Sequence, residues 1–175
     1  MRKFLHRMVV GASLVAVLYL QVRFNLVVET VQFAVDTVQF ARRLVDGCGT
    51  SLCCEDCLVI GVSRVIDGDT FVSSGGMRVR LFGVDTPEVG ERCSSTATDR
   101  LRELAGDEVR VENGPRFIDP YGRRLYYVYA ENGESIDEKL VQEGLARAWT
   151  RDGQHGDTLM RLESEARRGR EDCLW

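Results

Sequence analysis

The stretch Val65-Ile-Asp-Gly-Asp-Thr-Phe71 sets Asp67 and Asp69 around one glycine directly after an apolar run. A second stretch, Val84-Asp-Thr-Pro-Glu88, places Asp85 and Glu88 at the end of another such run. Neither stretch contains cysteine or histidine, so both offer hard oxygen ligands, suited to Ca²⁺ or Mg²⁺. Two aspartates are too few for a calcium shell of roughly 6–8 oxygens, so water and a substrate oxygen complete it. Such open coordination suits catalysis better than structural binding. It also implies weak affinity, tolerable where calcium is abundant, as outside a cell. Arg80 lies between the two acidic stretches, and Arg123 follows Asp119-Pro-Tyr-Gly122. A guanidinium is a planar fork matched to phosphate oxygens. A cation and two arginines facing a phosphodiester stabilise the added charge of an in-line transition state. Glu88 is then the group to orient or deprotonate the attacking water.

Each piece alone has a plainer meaning. Asp-Gly-Asp is most often a solvent-facing turn, Asp-Thr-Pro-Glu a helix or turn start, and an isolated arginine a surface residue. Tyr126, Tyr127 and Tyr129 read as core or barrel-face residues. The combination, in this order, is what points to a site. His6 and His155 stand far apart, which disfavours His-based zinc catalysis, Ser-His-Asp triads and His-dependent nuclease chemistry. Net charge is −4, and residues 59–175 carry 17 basic against 22 acidic side chains. A general basic field is therefore missing, and any phosphate affinity rests on a few placed arginines and a metal.

The elements that must position these residues begin at Leu58. Segments 58–66, 70–74 and 77–84 are rich in β-branched residues, with a turn at Ser73-Ser-Gly-Gly76. Along the third, Met77, Val79 and Leu81 share one face, and Arg78, Arg80 and Phe82 the other. Residues 94–106 put Ala97, Leu101, Leu104 and Ala105 on one helical face, with a Thr96/Asp99 capping box and Gly106 as the stop. Strands at 108–112 and 123–131 follow, then a turn at Asn132-Gly133. Ser135 and Glu138 form a second capping box before a helix over 139–146, and a last helix around 157–168 carries Leu159, Leu162 and Ala166. Five short strands with one inserted helix and terminal helices predict a mainly β fold with α: a small Greek-key barrel of the OB type with about three helices. Strand–helix alternation and a phosphate-loop glycine motif are both missing, which disfavours a nucleotide-binding layer fold.

Upstream, Arg2, Lys3 and Arg7 precede an uncharged apolar run at 8–22, the pattern of a signal peptide or signal anchor. The expected organisation is a signal anchor or transmembrane segment at 1–28, a helical stalk and Cys-rich linker at 29–57, and the barrel at 58–175. Residues 30–36 and 37–43 form a seven-residue near-repeat, which suggests a helical stalk. With the N-terminal charges held inside, the barrel sits outside the cytoplasm, membrane-anchored or secreted. Cys48, Cys53, Cys54 and Cys57 crowd ten residues, with Cys93 and Cys173 apart. An even count outside the cytoplasm favours disulfides, with zinc, lipidated or free thiols as alternatives and the connectivity open.

The strings VIDGDTF, VRLFGVDTPE and DPYGRRLYYVYAENGESIDEKLVQEGLARAW together resemble the staphylococcal (micrococcal) nuclease family, over roughly residues 58–175. The resemblance implies an OB barrel with three helices that uses calcium to cut DNA or RNA endonucleolytically, leaving 3′-phosphates. It implies Asp69, Asp85 and the Thr86 carbonyl as calcium ligands, Glu88 as base, Arg80 and Arg123 as phosphate clamp, and Tyr121 as a phosphate contact. Nucleic acid is then the substrate, with no obligate protein partner. Two departures stand out. Trp149-Thr150 occupies the place of a second family tyrosine, and the loop after Glu88 is short and lacks lysines. A non-catalytic OB module that binds nucleic acid or protein is the alternative, but such a module would have no reason to keep all five charged site residues. A purely structural membrane protein leaves the acidic stretches unexplained.

Overall fold

The structure is a computed structural model that describes residues 48–169 and 173–175. The anchor expected at 1–28, and the stalk expected from 29 as far as residue 47, lie outside the described residues. Residues 48–175 form one compact unit.

Among the described residues, seven strands and three helices follow in the order β1 (Leu58–Val65), β2 (Thr70–Ser73), β3 (Arg78–Leu81), β4 (Val84–Asp85), α1 (Ser94–Ala105), β5 (Glu108–Ile118), β6 (Arg124–Tyr129), α2 (Ile136–Gln142), β7 (Arg147–Ala148) and α3 (Gly156–Gly169). Five strands close a barrel in the order β1-β2-β3-β6-β5, and β1 returns to pair with β5. Every pairing in the barrel is antiparallel except β3 with β6, where Val79 faces Arg124 and Leu81 faces Tyr126. The barrel with three helices is the architecture expected from the sequence. The small β4–β7 ladder, Val84 opposite Ala148 and Asp85 opposite Arg147, was not.

Period-two patterning explains the barrel interior. Phe71, Val79, Leu81, Val109 and Val128 are fully buried, and α1 adds Ala97, Leu101 and Ala105 to the same core. The face expected on the last helix, Leu159, Leu162 and Ala166, is buried. Phe82 departs from the alternation. The strand ends at Leu81, the chain bends, and Phe82 turns inward against Tyr127, ring centroids 5.2 Å apart. The first capping box also fails. Cys93, in the left-handed region at φ 76°, precedes α1 with no side-chain cap, and Thr96 lies inside the helix.

The second capping box is half formed. Ser135 accepts the Glu138 amide at 3.2 Å, but the Glu138 carboxylate turns away from Ser135. It accepts instead the amides of Ser51 at 2.7 Å and Leu52 at 3.0 Å, while Thr50 Oγ1 takes the Ser135 amide at 2.9 Å. The Cys-rich segment is thus folded onto the β6–α2 corner as a clasp, and Cys54 N also donates to Gly133 O at 3.0 Å. All six cysteines are oxidised: Cys48–Cys53 and Cys54–Cys57 tie the clasp, and Cys93–Cys173 joins the start of α1 to the C-terminal residues.

Next to Glu138 in α2, Asp137 is wholly buried, and burial pushes its carboxyl up to about 7. The unfolded chain loses this proton near pH 4. Between about pH 4 and pH 7 the native state therefore holds a proton the unfolded state has released, and stability falls as pH rises through that window. Thermal unfolding from pH 4.5 to 8 is expected to show this slope in the native sequence and a flatter one in Asp137→Asn.

Candidate active site

Both acidic stretches end at the same rim of the barrel. Asp69 closes the β1–β2 turn, where the Asp67 side chain accepts its amide at 3.2 Å and fixes the corner. The glycine between them is required by close approach. A Cβ at Gly68 would lie 2.7 Å from Thr86 Oγ1 and 2.8 Å from the Ala97 methyl, so the first corner rests directly on the second. Thr86 N points back at Asp69 Oδ2, 3.4 Å away, and Thr70 Oγ1 donates to Asp69 Oδ1 at 2.9 Å.

Arg80 joins the two corners. Its Nη2 lies 3.1 Å from Asp69 Oδ2 and 2.7 Å from Asp85 Oδ1, and its Nη1 donates to the carbonyls of Leu81 at 3.0 Å and Val84 at 3.2 Å. One nitrogen touching both carboxylates means that the two acids converge on a single point. Burial raises the Asp69 carboxyl above its ordinary value against the lowering pull of Arg80, and Asp67 adds to the rise.

Asp67, Asp69, Arg80, Thr86, Glu88 and Arg123 line one small polar pocket of about 70 Å³. Asp85 borders it through Arg80. Tyr121, 78% exposed, stands in an adjoining cleft of about 550 Å³ that shares Arg80 and Arg123 with the pocket. The structure thus brings Asp69, Arg80, Thr86, Glu88 and Arg123 together, with Asp85 and Tyr121 at the margin.

Several residues at the site carry no recognisable signal in the sequence. Asp119 accepts Arg123 N at 2.9 Å and Nε at 2.6 Å, aiming the guanidinium so that Nη1 reaches Thr70 Oγ1 at 3.3 Å. Burial alone would raise the Asp119 carboxyl, but the amide and guanidinium of Arg123 outweigh it and hold the group below its ordinary value. The turn Asp-Pro-Tyr-Gly-Arg, with an acid four residues before the arginine, is the one local hint. Across the cleft, Trp149 lies between Arg80 and Arg151, their guanidinium carbons 5.8 and 5.0 Å from its ring centre. Its indole N–H donates to Asp152 at 2.7 Å, and Asp152 also holds Arg116 through two bonds. Trp149, Arg151 and Asp152 share one short segment, but Arg80 and Arg116 reach it from other elements, which no local pattern reveals.

The family model described as staphylococcal nuclease homologue matches residues 78–175, more than half of the chain. The chain belongs to the staphylococcal nuclease family. Among its curated relatives, a "Micrococcal nuclease" of Shigella flexneri is 39% identical over 122 residues, 62% of this chain and 69% of that protein. An "Uncharacterized endonuclease" of Escherichia coli O157:H7 is 35% identical over 119 residues, 65% of this chain and 74% of its own length. A "Thermonuclease" of Staphylococcus intermedius is 40% identical over 97 residues, half of this chain and 57% of the relative. In this member of the staphylococcal nuclease family, the matched region begins at Arg78, the first residue of β3. It includes Arg80, Asp85, Glu88 and Arg123, while Asp69 lies upstream.

Proposed function

We infer that the protein is a calcium-dependent endonuclease that hydrolyses phosphodiester bonds of DNA or RNA to 3′-phosphate products, membrane-anchored or exported. The observation that carries the reading is the single Arg80 nitrogen shared by Asp69 and Asp85, in one pocket with Glu88 and Arg123. The carboxylates already gather around a positive charge, and the donor set is oxygen only, which fits a hard divalent cation. Asp69, Asp85 and the Thr86 carbonyl would hold it. When bound, calcium supplies neutralising charge to the phosphate and acidifies a water molecule.

The remaining work falls to the chain's own groups. Arg123, aimed by Asp119, presents its fork to a phosphate oxygen. Arg80 stays anchored by its Nη1 bonds to Leu81 and Val84, so its other edge is fixed toward the same phosphate. Both guanidinium groups bind the developing pentacoordinate charge more strongly than the ground state. Glu88 takes the proton of the attacking water. Tyr121, exposed beside Arg123 in the adjoining cleft, contacts a phosphate of the bound strand.

The test is digestion of plasmid DNA and of RNA with calcium, with EDTA, and with Glu88→Gln. Cutting is expected with calcium only, and the Gln variant is slowed by ~10²-fold or more. Undiminished cutting in EDTA, or a fully active Gln variant, rejects the mechanism.

A further inference from the structure

We propose that Asp137 is a positioning residue, through which the disulfide-tied clasp at residues 48–57 sets the place of the second acidic corner. The idea rests on the assignment of Asp85 and Thr86 to the active site.

Asp137 is buried to 0% exposure and takes no part in the chemistry above. Among the described residues no basic side chain bonds to it. Its two oxygens each accept a backbone amide, Gly83 N at 2.9 Å and Val128 N at 3.0 Å. Val128 lies in β6, the strand that Arg123 precedes. Gly83 is the bend between β3 and β4, one residue before the Val84-Asp85-Thr86 corner. One carboxylate therefore holds the backbones of two segments that deliver opposite halves of the site.

The approach is too close for any side chain at 83. A Cβ there would meet Asp137 Oδ1 at 2.8 Å and Leu159 Cδ1 at 2.6 Å. The carbonyl of Gly83 is held as well, by Trp149 N at 2.8 Å, so the bend is clamped at both its polar groups. A buried polar network of this kind keeps its geometry only while every partner is satisfied.

What holds Asp137 itself is the first turn of α2. The neighbouring Glu138 is equally buried and grips the amides of Ser51 and Leu52 in the clasp. Ser135, the N-cap, is gripped in turn by Thr50, and Cys48–Cys53 closes the loop that carries all three clasp residues. A continuous brace thus runs from the clasp through Glu138 and Asp137 to Gly83.

The experiment uses the full 175-residue chain, solubilised and free of metal, and follows amide hydrogen exchange at Gly83. Turnover at saturating calcium is measured in parallel. Asp137→Leu removes both acceptors. Asp137→Asn, which leaves an acceptor for one amide only, serves if the first does not fold. Leu140→Ala is the control for simple loss of stability in the same helix. In either Asp137 variant, Gly83 exchange is expected to rise about tenfold or more. Their kcat is expected to fall about tenfold or more, with KM changed less than about threefold, because a corner displaced by about 1 Å spoils catalytic alignment. The Cys48→Ser/Cys53→Ser variant moves Gly83 exchange in the same direction. Asp137 variants that match Leu140→Ala in exchange and kcat, or Gly83 exchange unmoved by opening the clasp, overturn the proposal. A native chain with no nuclease activity would instead reject the assigned function, and exchange alone would still decide the brace.

Discussion

Arg80→Ala is expected to bind calcium more tightly than the native protein while cutting nucleic acid ~10²–10³ times more slowly. The two effects have opposite signs because Arg80 plays two parts. With no metal bound, its guanidinium satisfies both Asp69 and Asp85 at 3.1 and 2.7 Å, so any cation must compete with it for the same oxygens. Removing it frees the carboxylates and withdraws a repelling positive charge. In the proposed mechanism the same group stabilises the phosphorane-like charge, and a lost donor of this kind costs roughly 3–4 kcal/mol. Arg80→Lys is expected to behave almost as badly in turnover. One ammonium nitrogen cannot span the Leu81 and Val84 carbonyls on one edge and a phosphate on the other. Titration calorimetry with calcium, together with kcat on a defined oligonucleotide, checks both signs. A variant with weakened calcium binding and unchanged kcat would contradict the assignment.

The largest expected effect on stability comes from Cys93→Ser/Cys173→Ser. This bridge spans 80 residues of sequence, and releasing so long a loop costs about 4 kcal/mol of unfolded-state entropy. Opening Cys54–Cys57, separated by three residues, costs about 3 kcal/mol less on the same scale. Thermal unfolding is expected to show a loss of about 10 °C or more for the first pair and only a few degrees for the second. Equal shifts for the two pairs would mean that native-state contacts, rather than loop closure, set the contribution.

The barrel and the face of each long helix were legible because period-two and period-3.6 patterning record which side of an element is buried. Leu101, Leu159 and Leu162 lie where the pattern puts them. The acidic corners and both arginines were legible because their residue types are unusual at strand ends. Other features depend on contacts between distant segments. Glu138 has a sound local reading as half of a capping box, and tertiary structure overrode it when the clasp supplied better donors. Alternation along 77–84 puts Phe82 outside, but the bend at Gly83 ends the strand at Leu81, three residues short of the expected end. Asp152 looks like an ordinary surface acid until the distant Arg116 that it holds is seen, whereas Asp119 has its arginine four residues on in the same turn.

The parallel seam between β3 and β6 has a consequence for when the molecule becomes dangerous. Arg80 lies in β3 and Arg123 directly precedes β6, two strands that meet only after α1 and all of β5 have been laid down between them, with Val79 seated against Arg124. Contacts of such long range form late and slowly. A half-made chain can present either guanidinium but not the pair, so the capacity to cut arrives in one step, with closure of the β-cylinder. A partly folded polypeptide would carry no blade until that moment.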